Sequence, residues 1–273
     1  MKISFQGEYG AYSEAAVYKH FGEEVTVFPL STLDEVFEAV EERQADAGLV
    51  PIENSIGGSV NRTYDLLKDT SLRIAAEVFL PIHHCLLARE EQSPMELSRV
   101  YSHPQALKQC QDYLNRLEVE QRATYDTAGS AKMIREEGQP GEAAIASRVA
   151  AEEYGLVVLE EGIESTPDNV TRFLIIVPRV GEIEEGEAYK SSITFEAADR
   201  PGSLYRCLGA FAENGVNLTM IHSRPIKEKK WNYRFYLDFE GNLEEEAVRA
   251  ALSELKGEAK EVKLLGSYPR GAG

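Results

Sequence analysis

Cysteine is scarce in this chain, cations are outnumbered, and no apolar run approaches the length of a bilayer. The three cysteines, Cys85, Cys110 and Cys207, lie far apart and form no CxxC pair. That spacing argues against a disulfide framework or a cysteine zinc site, and predicts reduced, packed thiols. His83 and His84 are adjacent and on a strand would face opposite sides, so they cannot share one ion; no metal is expected. Lys and Arg number 29 against 46 Asp and Glu, a formal charge of −17. Such a surface repels a phosphate backbone or anionic lipid, so neither nucleic acid nor membrane is an expected partner. The opening MKISFQGEYG has no apolar stretch behind a basic start, so a cytoplasmic location is expected and the Asn-x-Thr sequons at Asn61 and Asn169 are coincidental. Neither GxxxxGK[ST] nor GxGxxG occurs, which leaves nucleotide binding without support.

The residues that are present fit two compact units: 273 residues, 43% of them hydrophobic, exceed one ordinary domain and fall short of three. The first 180 residues alternate short apolar runs with amphipathic stretches, the pattern of an α/β domain. Strands are expected at 2–5, 47–52, 80–88, 100–102, 142–146, 157–160 and 172–177. Thr32 and Glu35 form a capping box, and Leu33, Val36, Phe37 and Val40 give the following helix one buried face. Near Gly181 the acidic stretch GEIEEGEAY reads as a linker. Beyond it a strand (191–197), a helix (203–214), two strands (216–223 and 231–239), a helix (243–255) and a strand (260–265) make the βαββαβ order of a ferredoxin-like α+β unit. Leu204, Leu208 and Phe211 share a face of its first helix, and Asn214-Gly215 supplies the stop.

Small hydroxyl or amide residues recur where strands give way to helices: Ser13, Asn54, Ser55, Ser59, Ser102 before His103-Pro104, Thr127, Ser130 and Ser147. Helix starts expose backbone N–H groups and a positive dipole end, which bind carboxylates without a basic side chain. Ser, Thr and Asn are also the preferred N-caps, which accounts for any one of these positions. Gly57-Gly58 between Ser55 and Ser59 is less easily explained that way, because paired glycines admit a close ligand and are otherwise unfavourable before a helix. A small organic anion is the expected ligand.

Taken in order, FQGEYGAYSEAA, VPIENSIGGSV, LPIHHCLL, SHPQALKQC, DTAGSAK, AAIASRVAAEEYGL and NVTRFLII resemble the prephenate dehydratase family, and the resemblance covers nearly the whole chain. The small unit is similar to ACT domains: Gly202-Ser203-Leu204-Tyr205 stands where the family has a Gly-Ala-Leu-Val-like turn. His222-Ser223-Arg224-Pro225 stands where it has Glu-Ser-Arg-Pro, with His222 replacing a carboxylate. The resemblance implies a two-lobe α/β fold like type II periplasmic binding proteins. Lobe one would be 1–76 and 164–181 and lobe two 77–163, making a catalytic domain of 1–181, followed by an ACT domain at 190–273. It implies cofactor-free conversion of prephenate to phenylpyruvate, CO₂ and water, with Thr171 catalytic and Asn54, Ser55, Ser102, Gln105, Thr127, Ser130, Arg172 and Phe173 binding substrate. Thr171 and Arg172 alternate on a strand, so both reach one ligand only if the backbone turns. Phenylalanine would be the effector, held by Gly202, Ser203, Leu204, Asn217, Leu218, His222, Ser223 and Arg224 in a homodimer or homotetramer. Arogenate, with an amine for the keto oxygen, is the alternative substrate, and a non-catalytic anion sensor is the reading from another class.

Overall fold

The structure is a computed structural model that describes residues 1–183, 187–226 and 232–271. Residues 184–186 of the expected linker, Trp231 at the start of an expected strand, and 272–273 lie outside the described residues. In chain order the elements are β1 (Lys2–Gln6), α1 (Tyr12–Phe21), β2 (Thr26–Leu30), α2 (Leu33–Glu41), β3 (Ala47–Asn54), β4 (Gly58–Ser59), α3 (Asn61–Asp69), β5 (Arg73–Pro81), β6 (Cys85–Ala88), β7 (Arg99–Ser102), α4 (Pro104–Gln109) and α5 (Gln111–Leu117). Then come β8 (Glu120–Ala123), α6 (Thr127–Glu137), β9 (Glu142–Ala146), α7 (Arg148–Tyr154), β10 (Val157–Glu161), β11 (Val170–Val177), β12 (Tyr189–Ala197), α8 (Ser203–Glu213), β13 (Leu218–Pro225), β14 (Tyr233–Glu240), α9 (Glu246–Glu258) and β15 (Ala259–Pro269).

The chain divides into two compact units: Met1–Asn61 with Val78–Phe173, and Arg62–Glu77 with Leu174–Gly273. This division departs from the expected boundaries, because residues 62–77 group with the C-terminal part of the chain. The reason is local bonding. Lys263 Nζ donates to the Leu67, Lys68 and Thr70 carbonyls at 3.1, 2.6 and 2.6 Å, capping the end of α3. Tyr236 donates its hydroxyl to Tyr64 O at 2.7 Å.

The larger unit holds two sheets. In the first, β1 lies between β2 and β3, all parallel, with the start of β11 on the far side of β3. Pro29 in β2 is tolerated because β2 is an edge strand and needs no ladder bond on its open side. The capping box forms as expected, Thr32 accepting from Glu35 N and Glu35 accepting from Thr32 N. The second sheet runs β10-β6-β9-β7-β8. Its central strands β6, β9 and β7 are packed on both faces: Leu86, Val100 and Ile145 pack with Leu107 and Leu114, while Cys85, Leu87 and Ala144 pack with Ala131, Ile134 and Ala150. All three cysteines are unpaired and buried.

The expected strand at 80–88 is two strands. β5 ends at Pro81 and β6 begins at Cys85, because Ile82 N turns to Asn169 O (2.8 Å) and His84 N to the Glu164 carboxylate (2.9 Å).

The smaller unit is an antiparallel sheet in the order β13-β14-β12-β15, with α8 and α9 on one face, the βαββαβ arrangement read from the sequence. Ile193, Phe195, Phe211, Leu237, Phe239 and Leu255 form its core. β15 meets β5 at Gly266 and Ile74. A Cβ at Gly266 would overlap the Ile74 carbonyl oxygen, so only glycine permits this approach. No helix among the described residues is long and apolar enough to cross a membrane.

Candidate active site

Asn54, at the end of β3, organises the site. Its Nδ2 donates to Asn169 Oδ1 at 2.6 Å and to Thr171 Oγ1 at 2.9 Å, while its Oδ1 accepts from Gly57 N and Ile56 N at 2.6 and 3.1 Å. Because Nδ2 only donates, the Thr171 hydroxyl must accept, which leaves its own proton to be given elsewhere. Ser55 stitches the same loop to the start of β11: Ser55 N donates to Val170 O, Val170 N to Ser55 Oγ, both at 2.9 Å. The backbone carrying Thr171 is thus held on two sides.

Asn54 and Thr171 line a cavity of about 210 Å³ whose walls include Pro51, Val60, Ile82 and Ala106, with Tyr12, His84, Gln105, Gln109, Thr127 and Asn169 as polar groups. A neighbouring cavity of about 340 Å³ shares Tyr12, His103 and Thr127 and adds Gln6, Glu8, Ser31, Tyr125 and Asp126. A Cβ at Gly57 would meet Gln105 Nε2, the far end of a flexible side chain that can swing aside, whereas Gly58 has φ +78°, a left-handed backbone that favours glycine.

The site is uncharged at its centre. Tyr12 and His84 form a pair, hydroxyl to Nδ1 at 2.7 Å, and His84 Nε2 lies 2.8 Å from Gln109 Oε1. The Tyr12 hydroxyl also donates to the His83 carbonyl at 2.9 Å, so its one proton is shared between that carbonyl and His84 Nδ1, while Nε2 faces the Gln109 oxygen. Burial holds His84 below its ordinary pKa, so the ring is neutral near pH 7. Burial likewise pushes the Tyr12 phenol well above its usual value and raises the Cys85 and Cys110 thiols, so neither cysteine is a nucleophile. Burial pushes Glu164 up, but hydrogen bonds from His84 N and His83 outweigh it and hold the carboxyl below its ordinary value. At the mouth, Glu8 is lowered chiefly by its bond to Lys132 (3.0 Å) and also accepts from Tyr125 at 2.9 Å.

Of the residues singled out in the sequence, Asn54, Gln105, Thr127 and Thr171 come together. Ser55 stands behind them as a brace. Ser102 and Ser130 do not join: both are fully buried, Ser102 donating to Ile145 O at 2.6 Å and Ser130 to Asp126 O at 2.8 Å. The caps of α4 and α6 are His103 and Asp126 instead, and Ser147 caps α7, accepting from Ala150 N. Arg172 is buried on the alternate face of β11, and neither it nor the packed Phe173 lines the two cavities, so the expected carboxylate clamp is absent from this wall. Sequence reasoning misses Tyr12, His84, Gln109 and Asn169, since nothing local marks a hydrogen bond between residues 72 positions apart.

The effector candidates separate within the smaller unit. Gly202, Ser203 and Leu204 line a cavity of about 250 Å³ with Tyr233 and Phe235. His222 stacks on Tyr64 with ring centroids 4.4 Å apart, and Arg224 holds Asp65 in a two-pronged ion pair. Asn217 and Ser223 are exposed and Leu218 is half-buried against the core.

Fold and site together define an α/β unit with an uncharged hydroxyl-and-amide cleft, carrying a ferredoxin-like module. A prephenate dehydratase family model matches residues 3–180, and an ACT domain model matches 191–257. The chain is 41% identical to the chloroplastic arogenate dehydratase/prephenate dehydratase 2 of Arabidopsis thaliana, over 98% of this chain and 73% of that one. Among solved structures, the prephenate dehydratase of Arthrobacter aurescens in complex with L-Phe matches with a TM-score of 0.91 and 34% identity, covering 99% of this chain and 90% of that one. A protein described as GqqA, a novel type of quorum-quenching acylase, matches with a TM-score of 0.92 and 32% identity over 99% and 98% of the two chains. The chain belongs to the prephenate dehydratase family, a family of decarboxylating dehydratases, and carries an ACT domain.

Proposed function

We propose that the chain converts prephenate to phenylpyruvate, CO₂ and water in the cytoplasm, and that phenylalanine bound to its ACT domain regulates the reaction in a homo-oligomer. The functional domains are 1–181 and 190–273. One observation carries the chemistry: Thr171 accepts a hydrogen bond from Asn54 Nδ2, which leaves its own hydroxyl proton available to a ligand.

Prephenate loses a ring carboxylate and the hydroxyl across the ring, and becomes aromatic. Thr171 donates to the departing oxygen. The free hydroxyl is a weak acid, so its role is a positioned hydrogen bond that strengthens as negative charge develops on the leaving group. The apolar walls formed by Pro51, Val60, Ile82 and Ala106 keep the departing carboxylate poorly hydrated, which favours movement of its electrons into the ring. Gln105 and Thr127 are left to hold the substrate's oxygens. No cofactor enters these steps.

Arogenate is the second substrate to consider, because the Arabidopsis relative is named for both activities. Purified protein is incubated with prephenate and, separately, arogenate, and phenylpyruvate and phenylalanine are measured with and without added phenylalanine. Prephenate left to its spontaneous decay would refute the dehydratase reading, and turnover indifferent to phenylalanine would refute the regulatory one.

A further inference from the structure

On this strongly acidic chain, cations gather on one face of the smaller unit. Arg224 and Arg234 stand opposite each other on β13 and β14. With Arg62 and Lys68 from α3 they wall a cavity of about 190 Å³, against two carboxylates, Asp65 and Asp69. Asp65 is taken up by Arg224 at 2.8 and 3.0 Å, and Asp69 lies 3.5 Å from Lys68. Arg234 is short of acceptors. Its side chain is 7% exposed, its Nη2 donates to Glu261 at 2.7 Å, and its Nε and Nη1 have no hydrogen-bond partner among the described residues. A buried guanidinium in that condition is costly; the two nitrogens are themselves covered, so an anion in the cavity offsets the cost through the charge of the group.

We infer that this cavity is a binding site for a small organic carboxylate. The anionic group answers the surplus of positive charge around Arg224 and Arg234, competing with Asp65 for the Arg224 fork. An apolar body is accommodated by Leu66, Pro225 and the Tyr236 ring, which inorganic phosphate would leave uncovered. The volume is below the roughly 300 Å³ at which drug-sized pockets begin, so the ligand is small. Gly202, Ser203 and Leu204 line a different cavity, whereas Arg224, also an expected effector residue, lines this one, so the two sites differ in all but that residue. Because Asp65 and Lys68 belong to α3, occupancy also loosens the hold of β13 on that helix.

Titration calorimetry on the full chain, with benzoate, benzamide and inorganic phosphate as probes, tests the site. Benzoate should bind, benzamide should not, and phosphate should bind more weakly than benzoate. Arg234→Gln should weaken benzoate by about tenfold, as expected for loss of a charge-assisted donor. Arg62→Ala with Lys68→Ala, at the cavity rim, should weaken it several-fold even if the first variant fails to fold. Thr171→Ala should leave benzoate binding unchanged. Benzoate binding that survives both cation variants, or that is lost with Thr171→Ala, overturns the site; phosphate binding as tightly as benzoate overturns the carboxylate class. Phenylalanine is titrated in parallel. Its binding should survive Arg234→Gln, and joint loss would merge the two sites and overturn their independence, whereas absence of phenylalanine binding in the parent protein defeats only the regulatory reading.

Discussion

Thr171→Val isolates the hydroxyl from everything else the residue does. Valine keeps the β-branched shape that suits strand β11, so the wall of the cavity retains its form. Asn54 Nδ2 loses the acceptor at 2.9 Å but keeps Asn169 Oδ1 at 2.6 Å, and its Oδ1 still holds Gly57 N and Ile56 N. One hydrogen bond among several is therefore lost, a cost of about 1 kcal/mol. In a chain of this size that lowers Tm by about 2–4 °C. The catalytic effect should be much larger: removing one positioned donor from a developing charge costs about 3 kcal/mol, a factor of roughly 10² to 10³ in kcat. KM should hardly move, because the donor acts mainly in the transition state. Phenylpyruvate formation followed by ultraviolet absorbance gives both constants, and a melting curve gives the stability. Thr171→Ser should recover most of the rate. A valine variant within threefold of the parent kcat would remove the hydroxyl from the mechanism.

Asn54→Asp should leave the melting temperature close to the parent, because the buried Asn169 Nδ2, which has no partner among the described residues, can flip to meet the new carboxylate. Its kcat should nevertheless fall by about two orders of magnitude, as Thr171 would then donate to that carboxylate and not to substrate; retention of kcat would show that the direction of that hydrogen bond is immaterial. His84 titrates below its ordinary 6.5 because it is buried. The folded protein thus binds fewer protons than the unfolded chain below that value, and the stability from neutral His84 is present above pH 6.5 and lost as pH falls through its folded pKa. Tm measured against pH should show this acid-side decline flattened in His84→Gln, and an unchanged slope would rule out His84 as its source. Lys263→Met should destabilise the chain by about 1.5–3 kcal/mol, the worth of hydrogen bonds from a charged donor. Chemical denaturation reads this directly, and a loss under about 0.5 kcal/mol, the low end for a single hydrogen bond, would contradict the capping role.

Much of the architecture is legible in the sequence because local rules and tertiary packing agree. The Thr32–Glu35 box, the face formed by Leu33, Val36, Phe37 and Val40, and the βαββαβ order of the small unit all appear where pattern places them. Strands β2 and β8 escape notice for a physical reason: TVFPL carries a proline and EQRA is largely polar, since both lie at sheet edges where apolar alternation is not required. Cap propensity misleads at α4 and α6, where Ser102 and Ser130 turn inward to bond carbonyls and His103 and Asp126 take the helix ends. The reach of Asn54 to Thr171 crosses 117 positions. Family resemblance identifies both residues, but spacing cannot reveal that one orients the other's proton.

The ammonium of Lys263 rests on three carbonyls contributed by residues nearly two hundred positions earlier. The C-terminal module, contiguous as a family unit, therefore takes part of its bonding from residues 62–77. Cutting the chain in the acidic linker and expressing the C-terminal fragment by itself would strip that ammonium and the Tyr236 hydroxyl of their acceptors and uncover the sheet beneath. Any transplant of the module into another enzyme must bring residues 62–77 with it, as a second piece of polypeptide.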